Sequence, residues 1–169
     1  MKYSSAEAAK LLRKLNEEVE NLEDQEVKRR EFNAALGEDV ETVRPAYDYA
    51  DTQRKLKELQ AKIRTVKHAL NCFNSTTEVP GFDMTIDQLL VYIPQLSRRK
   101  QKLAMMSSCL PKERAKVSGL GSQIIDYRYA NYDIEAAKAD YQRVSDELAK
   151  AQTALDLVNT TMTMEIKID

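Results

Sequence analysis

The chain has no tryptophan, one histidine, two cysteines, four glycines and four prolines among its 169 residues. Glycine and proline ordinarily make up roughly 7% and 5% of a chain, and many-stranded β folds spend them at every turn. Their scarcity excludes collagen-like and low-complexity sequence and argues against an all-β sandwich. Two cysteines and one histidine make three possible ligands, where a structural zinc site normally needs four. Cys72 and Cys109 lack CxxC spacing and are expected to be free thiols in a reducing compartment. Long apolar runs are missing too. The longest, 89–93, falls far short of the about 20 residues that span a membrane. The first residues carry no apolar stretch of the kind a signal peptide needs. The expectation is a soluble, cytoplasmic protein.

Charge is plentiful, at 31% of residues, with 43% hydrophobic. The 26 basic and 27 acidic residues nearly cancel, so the net charge of −1 gives the chain as a whole no polyionic partner. The distribution is uneven, however. Arg98, Arg99, Lys100, Lys102, Lys112, Arg114 and Lys116 face only Glu113 as an acid within 88–125.

Gly37 with Pro45, Pro80 with Gly81, and Pro111 with Gly119 and Gly121 mark three breaks. Helix interiors reject proline by about 3 kcal/mol and glycine by about 1 kcal/mol, so four helical stretches remain, and Pro94 alone falls inside one. The first opens on the capping box Ser4-x-x-Glu7. Its stripe Ala8, Leu12, Leu15, Val19 and Leu22 turns polar before Leu36. In the second, Tyr49, Thr52, Leu56, Leu59, Ile63, Val66, Leu70 and Phe73 alternate spacings of three and four, the pattern of a coiled-coil seam. The third opens at Thr85-x-x-Gln88, with Ile86, Leu89, Ile93, Leu96, Leu103, Met106 and Leu110 inward and a kink or late start expected at Pro94. The fourth runs from Asp133 with a seam through Val144, Leu148 and Val158. Residues 124–129 are rich in β-formers, and the tail alternates Met162, Met164, Ile166 and Ile168 with polar residues. Both are expected to be short strands, the tail pairing near 78–86.

A shift of 85 positions lays the second helix on the fourth without a gap. Tyr47-Asp48 meets Tyr132-Asp133, and 69–76 meets 154–161 as A-L-[ND]-x-[FV]-N-[ST]-T. Asp48 and Asp133 stand as N-caps, and Asn74 and Asn159 as left-handed helix stops. The expectation is one domain, 1–169, built from repeats 1–85 and 86–169. Its fold is an all-α antiparallel four-helix bundle or coiled coil of two repeated hairpins, with a minor β element from the tail.

The order Asn71-x-x-Asn74-x-Thr76, Met84-Thr85-Ile86 opening a helix, Arg98-Arg99, then Asn131-x-Asp133-Ile134 opening a helix that ends Asn159-Thr160-Thr161 resembles the septicolysin-like family of bacterial proteins. The resemblance spans about 50–165 and lies mostly in order and spacing. It implies compact helical hairpins in a largely uncharacterised family whose name refers to a cytolysin, and hence pore formation. It carries over no catalytic or binding residues.

The candidates for chemistry are few. His68 and Cys72 sit one helical turn apart, a spacing that can activate a thiolate, but no third group orients them. Asp48, Asp51, Asp133 and Glu135 are acids at helix starts, where the macrodipole favours them. Tyr47, Tyr49, Tyr127, Tyr129, Tyr132 and Tyr141 are expected to gather at one end of the bundle. The functional surface is placed at Arg98, Arg99, Lys100, Lys102, Tyr127, Tyr129 and Tyr132. Salt-bridging with an acidic face explains the basic segment most cheaply, since 96–118 has no aromatic residue to interleave for nucleic-acid binding. The reading is a non-enzymatic, homodimeric scaffold or protein-interaction module with no cofactor and no metal. The alternatives are a cytolysin-like membrane-active protein and a weak nucleic-acid or anion binder through 98–116.

Overall fold

The computed structural model describes residues 1–115 and 126–168. Lys116, Gly119, Gly121, Ile124 and Ile125 lie outside them. The chain is mostly helical, with five helices and small antiparallel strand pairs among the described residues. It forms two compact units, Met1–Thr76 with Val158–Asp169, and Thr77–Leu157.

In the first unit, β1 (Lys2–Ser4) leads into α1 (Ser5–Arg29). The capping box forms as the sequence predicts: Ser4 Oγ accepts from the Glu7 amide at 3.2 Å, and Glu7 Oε2 accepts from the Ser4 amide at 2.8 Å. The Ser4 amide, and after it the Ser4 hydroxyl, hydrogen-bond to the Glu7 carboxyl and hold it below the usual carboxylate range. The helix ends at Arg29, so Leu36 lies beyond it and is fully exposed. A short helix, α2 (Val40–Val43), lies in the first break between Gly37 and Pro45, and Asp39 Oδ1 caps it by accepting from the Glu41 amide at 3.0 Å. Asp48 opens α3 (Tyr49–Thr76) by accepting from the Asp51 amide at 3.0 Å.

α3 returns antiparallel along α1. Ala8 and Leu15 of α1 meet Val66 of α3, while Glu26 at the far end of α1 meets Tyr47 and Gln53. Met164 and Ile166 complete this core. Burial of a side chain of that size stabilises by about 1.5–3 kcal/mol.

The tail forms its strand, β4 (Thr163–Glu165), but on a different partner from the one expected. It pairs antiparallel with β1, Tyr3 opposite Met164. The N-terminal ammonium donates to the Ile166 carbonyl at 3.1 Å, and the Ile166 amide donates to Met1 O at 3.0 Å. The 78–86 segment pairs with itself in the second unit instead. Glu78 bridges Thr85 across a turn in which Gly81 has φ +83°, a conformation side chains reject, and the Val79 amide donates to Met84 O at 2.9 Å.

Beyond that turn, α4 (Ile86–Ser107) begins without delay, Gln88 Oε1 accepting from the Thr85 amide at 2.9 Å. It continues through Pro94, so the late start does not occur. Ile86, Leu89, Leu96 and Leu103 are buried, while Leu110 lies past the helix end and is exposed. Asp133 Oδ1 caps α5 (Ile134–Thr161), accepting from the Glu135 and Ala136 amides at 2.9 and 3.1 Å. α4 and α5 run antiparallel: Tyr92 donates to Glu147 Oε1 at 2.5 Å, and Lys100 stands over Tyr141. Asn74 and Asn159 lie inside helices that end at Thr76 and Thr161, and no described residue other than glycine has positive φ. The expected left-handed stops are therefore ordinary helical residues, and the Ser75-Thr76 and Thr160-Thr161 pairs after them are helical too.

Between α4 and α5, β2 (Lys112–Arg114) pairs antiparallel with β3 (Tyr127–Tyr129). Hydrogen bonds from the Ala115 amide to Asp126 O at 2.8 Å and from the Ala130 amide to Pro111 O at 3.1 Å extend the ribbon.

Candidate functional site

The cations of the basic segment fall in two places of the second unit. Arg98, Arg99 and Lys102 are exposed on α4, and Lys100 is half-buried with Nζ 5.9 Å from the Tyr141 ring. Within this unit's described residues, none of the four forms an ion pair with a carboxylate. Lys112 and Arg114 lie instead on β2 and are exposed.

The ribbon brings these two cations to two of the candidate tyrosines. Register sets Lys112 opposite Tyr129 and Arg114 opposite Tyr127. Successive strand residues point to opposite faces, so Lys112, Arg114, Tyr127 and Tyr129 share one face. Glu113 and Arg128 share the other, where they pair at 3.4 Å. Lys112 Nζ stands 4.2 Å from the Tyr127 ring centroid and 5.4 Å from that of Tyr129. Tyr127 and Tyr129 remain 50% and 62% exposed. Sequence reasoning found the cations and the tyrosines separately. It missed their meeting, because a strand pair across 115–126 carries no local signal of its register.

Tyr132 is elsewhere. Its hydroxyl donates to Met106 O at 2.9 Å, satisfying a carbonyl at the open end of α4. The hydrogen bond with the Cys109 side chain pushes this phenol above its ordinary range. Cys109, Pro111, Ala130, Tyr132 and Lys138 line a cavity of about 490 Å³ beside it. Tyr47 and Tyr49 belong to the first unit, where Tyr47 donates to Glu26.

The other candidates take structural positions. Asp51 holds Lys55 at 2.6 Å and also pairs with Arg54, contacts that lower its pKa; Glu135 holds Lys138 at 2.8 Å. The exposed Cys72 Sγ lies 3.6 Å from His68 Nε2. Among the described residues, no three His, Cys, Asp or Glu side chains gather as a metal would require, and no helix is long and apolar enough to cross a membrane.

No protein-family model matches the chain, and no curated protein does. Among solved structures, the chain is similar to a functionally unknown conserved protein from Corynebacterium diphtheriae, with a TM-score of 0.61 and 15% identity over 98% of this chain and 100% of that one. At that identity the two share a fold, and the likeness extends no further.

Proposed function

We propose that the chain is a cytoplasmic helical scaffold or protein-interaction module without catalytic activity, built from two duplicated hairpins and acting as a homodimer. The observation that carries this reading is the incomplete cover of the α3 seam. Of its 28 residues only Leu56 and Val66 are buried, and Leu59, Ile63, Leu70 and Phe73 keep part of their apolar surface in solvent.

A groove of about 350 Å³ between α1 and α3 suits a second copy of the chain. Leu22 and Leu59 line it together with two acids, Glu18 and Glu58, and two bases, Lys55 and Lys62. A two-fold contact needs a self-complementary patch, in which each acid of one copy can meet a base of the other. Equal numbers of acids and bases around an apolar pair supply that.

Duplication is supported by the helix bounds. Shifted by 85 positions, Tyr49–Thr76 coincides with Ile134–Thr161, and an aspartate caps each helix. Membership of the septicolysin-like family belongs to the same proposal, supported by the order of the motifs along 50–165. The exposed free thiols Cys72 and Cys109 suit a reducing compartment.

Sedimentation velocity at micromolar concentration tests the reading. A dimer is expected for the native chain and a monomer for Leu22→Arg combined with Lys62→Glu, with helical circular dichroism retained. A monomeric native chain overturns the homodimer.

A further inference from the structure

We infer that the Lys112–Arg114/Tyr127–Tyr129 face of the β2–β3 ribbon is a binding site for single-stranded nucleic acid. This goes beyond the scaffold reading and does not require self-association.

Sequence-tolerant binding of single strands needs aromatic rings on which bases stack and cations that follow the phosphates. The basic segment alone lacks the rings. The ribbon supplies them from β3, by pairing Lys112 with Tyr129 and Arg114 with Tyr127. The two tyrosines lie two residues apart on one strand, about 7 Å by strand geometry, and both are exposed. Each ring therefore has a neighbouring cation and a surface open to solvent.

Charge is sorted in the same sense. The ribbon's one acid within β2 and β3, Glu113, lies on the opposite face and is engaged by Arg128 at 3.4 Å. On the aromatic face, Lys112 is held by two ring quadrupoles, an attraction that leaves its full positive charge in place. Lys112 and Arg114 form no ion pair among the described residues, so an anion arriving at this face displaces no carboxylate. Ring and cation alternate across the ribbon. A lipid surface would be met better by aliphatic side chains beside the cations, and this face has none among its four residues.

The test is fluorescence anisotropy of a labelled oligothymidylate of about 15 nucleotides, titrated with the full chain over a series of salt concentrations. Because the chain has no tryptophan, quenching of tyrosine emission reports stacking in the native protein without any substitution. Binding is expected with quenching. Tyr127→Val and Tyr129→Val, which keep β-forming residues in β3, are each expected to weaken it about tenfold while leaving the salt slope unchanged. Lys112→Ala and Arg114→Ala are each expected to reduce the slope by about 0.7. Absence of binding at low salt overturns the proposal. So does binding without quenching, or binding that survives both tyrosine substitutions. Binding to phosphatidylserine vesicles but not to the oligonucleotide assigns the face to membranes and overturns it equally. A monomeric chain that binds the oligonucleotide removes the homodimer and leaves this site intact.

Discussion

Tyr47 donates its phenolic proton to Glu26 Oε1 at 2.5 Å, tying the approach to α3 to the last turns of α1. The same carboxylate accepts from Gln53 Nε2 at 2.8 Å, so one acid fastens both ends of a helix entry. The hydrogen bond to Glu26 pushes the Tyr47 phenol up to about 12.

A phenol with a raised folded pKa contributes stability that is complete below its unfolded value of about 10. That contribution is lost as pH rises towards 12. Thermal melts between neutral pH and pH 12 should show this alkaline decline in the native chain. In Tyr47→Phe the melting temperature should be lower at neutral pH and the component of the decline due to this residue absent. Identical pH profiles for the two proteins would show that the contact carries no stability.

Ile166 lies past the last strand yet is 1% exposed, packed in the core formed by Ala8, Leu15, Val66 and Met164. Ile166→Ala removes apolar contact from a site closed by both chain ends. The expected cost is about 2–5 kcal/mol, read from urea unfolding. Ile168→Ala, at a half-buried position, should cost less.

Pro94 occupies the interior of α4 on an exposed position, where it offers no amide to the helix. Pro94→Ala restores that donor and gives up little packing. It should stabilise the chain by about 1–3 kcal/mol, measured as a rise in the urea midpoint at constant slope. A fall in the midpoint would mean that the proline has a packing role.

Asp48 and Asp133 cap helices of equal length through their Oδ1 atoms. Asp48→Ala and Asp133→Ala should each cost about 1 kcal/mol, and each should be recovered by replacement with Ser. Equal losses at the two positions are the outcome that duplicated helix starts predict. A loss at one position alone would separate their roles.

The parts of this protein readable in its sequence were those that depend on near neighbours along the chain. Ser4 and Glu7 meet because a first helical turn brings residues three apart together. Asp48 and Asp133 cap for the same reason, and the seams of α3 and α5 follow from the periodicity of a helix. Scarcity of glycine and proline set the breaks, since each break must hold residues that a helix excludes. Tertiary structure decided which distant segments pair. A three-residue strand such as Lys2–Ser4 is too short for alternation to announce it, and its partner is about 160 residues away. The tail therefore found β1, while the expected partner closed on itself around Gly81. The same limit hid the ribbon face. Lys112 and Arg114 were plain as charges, and Tyr127 and Tyr129 as aromatics, but cross-strand register alone sets them on one side and turns Glu113 to the other.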